Sequence, residues 1–146
     1  MSVELPDYGT IDVGTTGPAI TVDAVSSEEF VRYAGASGDF NPLHYDYEYA
    51  RNAGHDGVFA QGMFTAGILS RAVTEWFGIE AVSTFDVRFV ETVHPGDSIR
   101  AQAVVADVRT GASSHGIDLE LTAEIDDGTT VATGRATVAL SGIEEE

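Results

Sequence analysis

Cysteine and lysine are both absent from the 146 residues of this chain. Without cysteine there is no disulfide, no thiolate metal site and no thiol nucleophile. Without lysine, the basic complement is seven arginines (Arg32, Arg51, Arg71, Arg88, Arg100, Arg109 and Arg135) against 24 Asp and Glu, a formal net charge of -17. Such a chain is repelled by nucleic acid and by anionic membranes, both of which need positive charge to displace counterions. A charged-then-apolar leader is missing too, as is any apolar run near the roughly 18 residues of a membrane span. A soluble, cytoplasmic protein is therefore expected. The acidity is dispersed, only Glu144 to Glu146 forming a run, in a sequence that is 43% hydrophobic. That describes a folded domain with an acidic skin, the composition expected in high salt, where self-repulsion is screened. An ordinary acidic protein explains the missing lysines less well.

What is present fits one domain. A chain of this length buries roughly 68–70% of its unfolded surface, enough for a core without staples. The expected domain covers residues 19–141, after a loose lead-in (1–18) and before an acidic tail (142–146). Ala19 to Ala24 alternates as a short strand. Ser26 as N-cap, Glu29 completing a capping box and Val25 with Phe30 at staple spacing start a helix, which Gly35 or Gly38 ends. Asp46 caps a short helix through Ala50. Gly62 to Phe77 reads as the longest helix, with only Arg71 and Glu75 charged, so burial over most of its circumference is expected. The period then changes to two. Phe85, Val87 and Phe89, then Ile99 to Ala103, Ile117 to Ile125, and Ala132 to Leu140 each alternate, with turns at Pro95-Gly96-Asp97 and Asp127-Gly128. Four antiparallel strands, each with one apolar face, need a cover, and the long helix supplies it. The fold class is α+β: a curved antiparallel sheet wrapped around one central helix.

The segment Gly38-Asp39-Phe40-Asn41-Pro42-Leu43-His44 carries the chemistry. Pro42 holds Asn41 extended, and Asn41 can bond neighbouring backbone, so the loop is stiff. A carboxylate and an imidazole directed at one point suit the splitting of a water molecule. Read by spacing alone, the same residues equally describe a connecting loop with Asp39 closing an Asx-turn and a half-buried histidine. His55, His94 and His115 are scattered without metal-ligand spacing, so no metal site is expected.

The stretch from Tyr33 to His44 resembles the signature of the MaoC-like dehydratases, also called hydratase 2 or (R)-specific enoyl-CoA hydratases. Their pattern, a helix ending in (S/G)-x-D-x-N-P-x-H, is matched at every fixed position. Gln61-Gly62-Met63 is similar to the family's H-G-M, Ser70 falls where short-chain members carry serine, and Phe89 with Pro95-Gly96-Asp97 is similar to its strand and turn. Residues 20 to 141 are covered. The resemblance implies the hot-dog fold, a homodimer or higher homo-oligomer with sheets paired edge to edge, an acyl-CoA substrate held between protomers, and no cofactor beyond the CoA that substrate carries. It also implies reversible hydration of a trans-2-enoyl-CoA to the (R)-3-hydroxyacyl-CoA. Asp39 and His44 would activate water, and the Gly62 N–H at a helix start would stabilise the enolate. Ser70 would orient Asp39 or touch the acyl group, or else bond its own helix. Asn41 would shape the loop more than contact substrate. Gln61 departs from the family histidine and implies tuning. Val90 departs from a basic residue, which leaves the CoA phosphates to Arg88, Arg100 or Arg109, or to none of them. A hot-dog acyl-CoA thioesterase and a non-catalytic acyl-CoA-binding scaffold are the competing readings.

Overall fold

The computed structural model describes residues 10–110 and 115–139. Among the described residues three α-helices, α1 (Ser27–Ser37), α2 (Tyr47–Asn52) and α3 (Gly62–Phe77), accompany five strands: β1 (Ile20–Val22), β2 (Val82–Phe89), β3 (Ile99–Thr110), β4 (His115–Ile125) and β5 (Thr130–Ala139). The strands form one sheet, ordered β1-β3-β4-β5-β2 and antiparallel throughout. Among the described residues no helix is long and apolar enough to cross a membrane.

The strands that the period-2 stripes predict all form, and their register explains how α3 fits. On the inner face, Ala101, Ala123, Ala132 and Phe89 fall in one cross-strand row; Ala103, Leu121, Gly134 and Val87 fall in the next. Small side chains thus floor the sheet where the helix crosses it, and Leu69, Ala72 and Val73 of α3 are buried against that floor. A Cβ on Gly134 would lie 2.4 Å from the Asp86 carbonyl oxygen and 3.3 Å from Leu69. The hydrogen there is what lets β2 and the helix close on β5. This is the α+β wrapped-helix architecture expected from the sequence.

Two expectations change. The helix α3 is open along one side: eight of its 16 residues are buried, while Met63, Gly67, Arg71 and Glu75 are exposed. An apolar composition alone cannot show which side lacks a neighbour within the chain. Residues 10–18, expected as loose lead-in, are pinned to the free edge of β3: Gly14 donates to the Val105 carbonyl at 2.8 Å and Gly17 to that of Ala103 at 2.9 Å. Ile11 joins the core, and Gly17 lies under the Trp76 ring. Edge pairing satisfies backbone groups whatever the side chains are, so hydropathy gave no sign of it. The expected acidic tail, like residues 1–9, lies outside the described residues.

On the outer face, Arg109 donates to Asp118, which also accepts from the Thr137 hydroxyl at 3.0 Å. The Arg109 hydrogen bond holds the Asp118 carboxyl below the usual value of 3.8. A lowered folded-state pKa stabilises the fold above the unfolded-state value and is lost as pH falls through the folded one. Asp118→Asn should therefore lower the melting temperature at neutral pH, with the gap to wild type closing only as the pH drops below 3.8. A gap that stays constant into strong acid would show that the carboxylate charge is not the cause.

Candidate active site

The helix α1 starts as its sequence signals: Ser26 caps it, its side chain accepting from the Glu29 N–H at 3.3 Å. It stops at Gly38, whose φ of 80° is a left-handed conformation that glycine adopts at little cost. The chain then leaves the helix at Asp39. The Asp39 N–H donates to the Ser37 hydroxyl at 3.2 Å, and its carboxylate accepts from the Asn41 N–H at 3.3 Å. Asn41 is extended (φ -60°, ψ 122°), as a residue before proline should be, and its side-chain oxygen caps a short 3-10 turn, Pro42–His44, through the Leu43 N–H at 3.1 Å. So the Asx-turn is real, and it is also the device that folds the loop back.

The turn brings His44 Nε2 to 3.8 Å from Asp39 Oδ2. That is too long for a direct hydrogen bond. The His44 side chain is 10% exposed, that of Asp39 46%. His44 Nδ1 stands 2.8 Å from the Phe59 carbonyl oxygen. A carbonyl only accepts, so Nδ1 carries the hydrogen, and the neutral ring keeps its lone pair on Nε2, facing Asp39. The Phe59 ring packs edge-on against the imidazole at 5.3 Å between centroids.

Phe59 also ties this loop to α3. Its N–H donates to the Leu43 carbonyl at 3.4 Å, and the next N–H, of Ala60, donates to the Val93 carbonyl at 2.8 Å. Two residues later α3 begins. Gln61 makes no side-chain cap; its buried Nε2 donates instead to the Phe30 carbonyl at 2.8 Å, locking α1 to the start of α3. The α3 N-terminus is thereby left with uncapped N–H groups at its positive end, Gly62 first among them. A Cβ at Gly62 would meet the Phe89 ring at 3.1–3.3 Å. Gly62, Phe59, Thr65 and Phe89 help line a cavity of about 340 Å³, which neither Asp39 nor His44 reaches. A larger hollow, about 480 Å³, lies on the sheet around Asp86, Glu120 and Arg135, away from these groups.

Among the described residues no His, Asp and Glu side chains converge as a metal cluster would require. The Ser70 hydroxyl donates to the Gly67 carbonyl of its own helix at 2.6 Å. Of the three arginines named for CoA phosphates, Arg109 is engaged with Asp118 and Asp107, and Arg100 stands opposite Glu124 across the sheet. Arg88 lines the hollow beside Asp86 and Arg135.

The family pattern described as MaoC like domain matches residues 13–129. The chain belongs to that family. It is 36% identical over 87 residues to a "Probable enoyl-CoA hydratase 2" of Dictyostelium discoideum, covering 58% of this chain and 30% of the relative. It is 34% identical over 97 residues to a "Peroxisomal hydratase-dehydrogenase-epimerase" of Neurospora crassa, covering 64% of this chain and 11% of that one. The chain thus spans less than a third of either relative. Among solved structures, an R-hydratase of Pseudomonas aeruginosa superposes with a TM-score of 0.77 at 22% identity, over 90% of this chain and 83% of that one. At that identity the likeness speaks for the fold, the hot-dog.

Two parts of the candidate site carry no signal in the side-chain pattern. Phe59 acts through its backbone carbonyl, 15 residues from His44, and no side-chain pattern marks a carbonyl. Gln61, which stands where the family carries histidine, is in addition a buried strut between two helices. The loop geometry is testable. Asn41→Ala removes the cap on Leu43 and should cost about 1 kcal/mol in chemical denaturation; His44→Ala leaves that cap but gives up the Phe59 bond and the buried ring packing, and should cost more. An Asn41→Ala protein as stable as wild type would show that the cap does not hold the loop.

Proposed function

We propose that this chain is a hydro-lyase that reversibly and stereospecifically adds water to a trans-2-enoyl-CoA, giving the (R)-3-hydroxyacyl-CoA. The observation that carries the reading is the pair of hydrogen-bond acceptors, His44 Nε2 and Asp39 Oδ2, facing one another at 3.8 Å. A water molecule about 2.8 Å from each, off the line joining them, donates one hydrogen to each and keeps a lone pair for the β-carbon. As the new C–O bond forms, the pair takes one proton from the water. It delivers one proton to the α-carbon, so that H and OH are both added and the pair is restored.

Negative charge gathers meanwhile on the thioester oxygen. The Gly62 N–H, at the positive end of α3, is the donor for it, a contact typically worth roughly 2.7–4 kcal/mol in the transition state. Asn41 keeps the loop in shape, and Ser70, whose hydrogen is given to Gly67, offers the acyl group only an acceptor. The names of the relatives, an enoyl-CoA hydratase 2 and a hydratase-dehydrogenase-epimerase, support the same chemistry. The substrate brings its own CoA, and no other cofactor enters the scheme. We further propose a cytoplasmic homodimer. β2 is an edge strand with Phe89 and Val90 about half exposed beside Gly62, and edge pairing between two copies would cover them. A working environment of high salt follows from the acidic, lysine-free composition.

Crotonyl-CoA hydration, assayed at high salt with the product's chirality determined, tests this reading. Asp39→Asn should slow it by about 10²–10⁴-fold while leaving the melting temperature near wild type, because the half-exposed carboxylate bonds only within its own turn. Release of free CoA thiol without 3-hydroxybutyryl-CoA would sink the hydratase in favour of a thioesterase. Undiminished turnover in Asp39→Asn would remove the dyad from the mechanism.

A further inference from the structure

Thr65 lies three residues beyond Gly62 and is 4% exposed. A threonine inside a helix ordinarily gives its hydroxyl hydrogen to the carbonyl three or four residues back. The Thr65 hydroxyl makes no hydrogen bond to any described residue. It borders the same cavity of about 340 Å³ as Gly62. Helical side chains slant toward the helix N-terminus, which directs this one back over the turn that Gly62 opens. Much of the remaining wall is apolar (Phe59, Phe89, Val90 and Val93), and Glu91 sets a negative charge at its border. A free donor in such a hollow suits a neutral carbonyl, whereas Glu91 disfavours a carboxylate or phosphate.

We propose that the Thr65 hydroxyl and the Gly62 N–H together hold the carbonyl oxygen of a bound thioester. The inference takes its ligand from the hydration reading above and adds a second donor to it. As oxygen bonds to the β-carbon, the alkene electrons move onto the thioester oxygen, and both hydrogen bonds shorten. When the α-carbon is protonated those electrons return to the C=O bond. Thr65 keeps its proton throughout.

Thr65→Val preserves shape and deletes the hydroxyl; Thr65→Ser keeps it. With crotonyl-CoA, Thr65→Val should lower kcat about a hundredfold with KM changed little, and Thr65→Ser should recover most of the loss. Because no protein hydrogen bond is removed, the melting temperature of Thr65→Val should equal or exceed that of wild type. Butyryl-CoA, which cannot be hydrated, gives a readout independent of turnover. Its infrared carbonyl band should move to lower frequency on wild-type protein and by less on Thr65→Val. Unchanged kcat and an unchanged band in Thr65→Val would overturn the proposal. So would a fall in its melting temperature, since the hydroxyl would then be holding the fold. A shifted band on a wild-type protein that hydrates nothing would sink the hydratase reading and leave the thioester site standing. Failure to bind butyryl-CoA would sink both.

Discussion

The hydrogen bond from His44 Nδ1 to the Phe59 carbonyl, 2.8 Å long, constrains more of this site than any other single contact. It gives the ring its tautomer, so that the lone pair faces Asp39 and not the protein interior. It buries the imidazole against the Phe59 ring and limits its rotation. Through Phe59 it joins the loop that leaves α1 to the segment that enters α3. The two ends of the candidate site, the Asp39–His44 pair on one loop and the α3 N-terminus on another, are therefore tied together. A carbonyl suits this role: it cannot give a proton, so the histidine has one orientation that satisfies it.

The second constraint is the floor of the sheet. Alanines and Gly134 occupy the rows beneath α3, so the helix comes close enough to bury Leu69 and Val73. Close packing makes such interiors intolerant of added volume. The position of the α3 N-terminus follows from that packing and from the Gln61 strut to Phe30. Gln61 leaves its own oxygen buried without a partner in the described structure, a local cost taken at the residue that precedes the candidate oxyanion donor. In place of a capping side chain, the helix end offers N–H groups to a ligand.

Charge acts over a longer range. Arg32, Arg71 and Arg109 are each committed to a carboxylate nearby. The exposed i,i+4 pairs of Arg32 and Arg71 add little to stability, and all three pairs withdraw cations from the field around the protein. The proposed substrate is itself an anion, and a chain of net charge -17 slows its approach. Salt shortens the reach of that repulsion to about 10 Å at 0.1 M and less above it. An acidic skin and an anionic substrate are compatible where the salt is high.

Sequence alone determined the elements that depend on neighbours along the chain. The start of α1 at Ser26, the extent of α3 from Gly62 to Phe77 and the alternation of the strands are local matters of capping and period, and all three are as read. The Asp39–His44 segment was legible for the same reason, because its geometry is built from turns between adjacent residues. Tertiary structure decided what depends on residues far apart. It pinned residues 10–18 to the edge of β3, left one side of α3 open, made Phe59 the partner of His44, and set Thr65 in a cavity with Gly62. Backbone carbonyls, sheet edges and unoccupied hydroxyls have no signature in side-chain pattern, since each acquires its role only when a distant segment comes, or fails to come, within bonding distance.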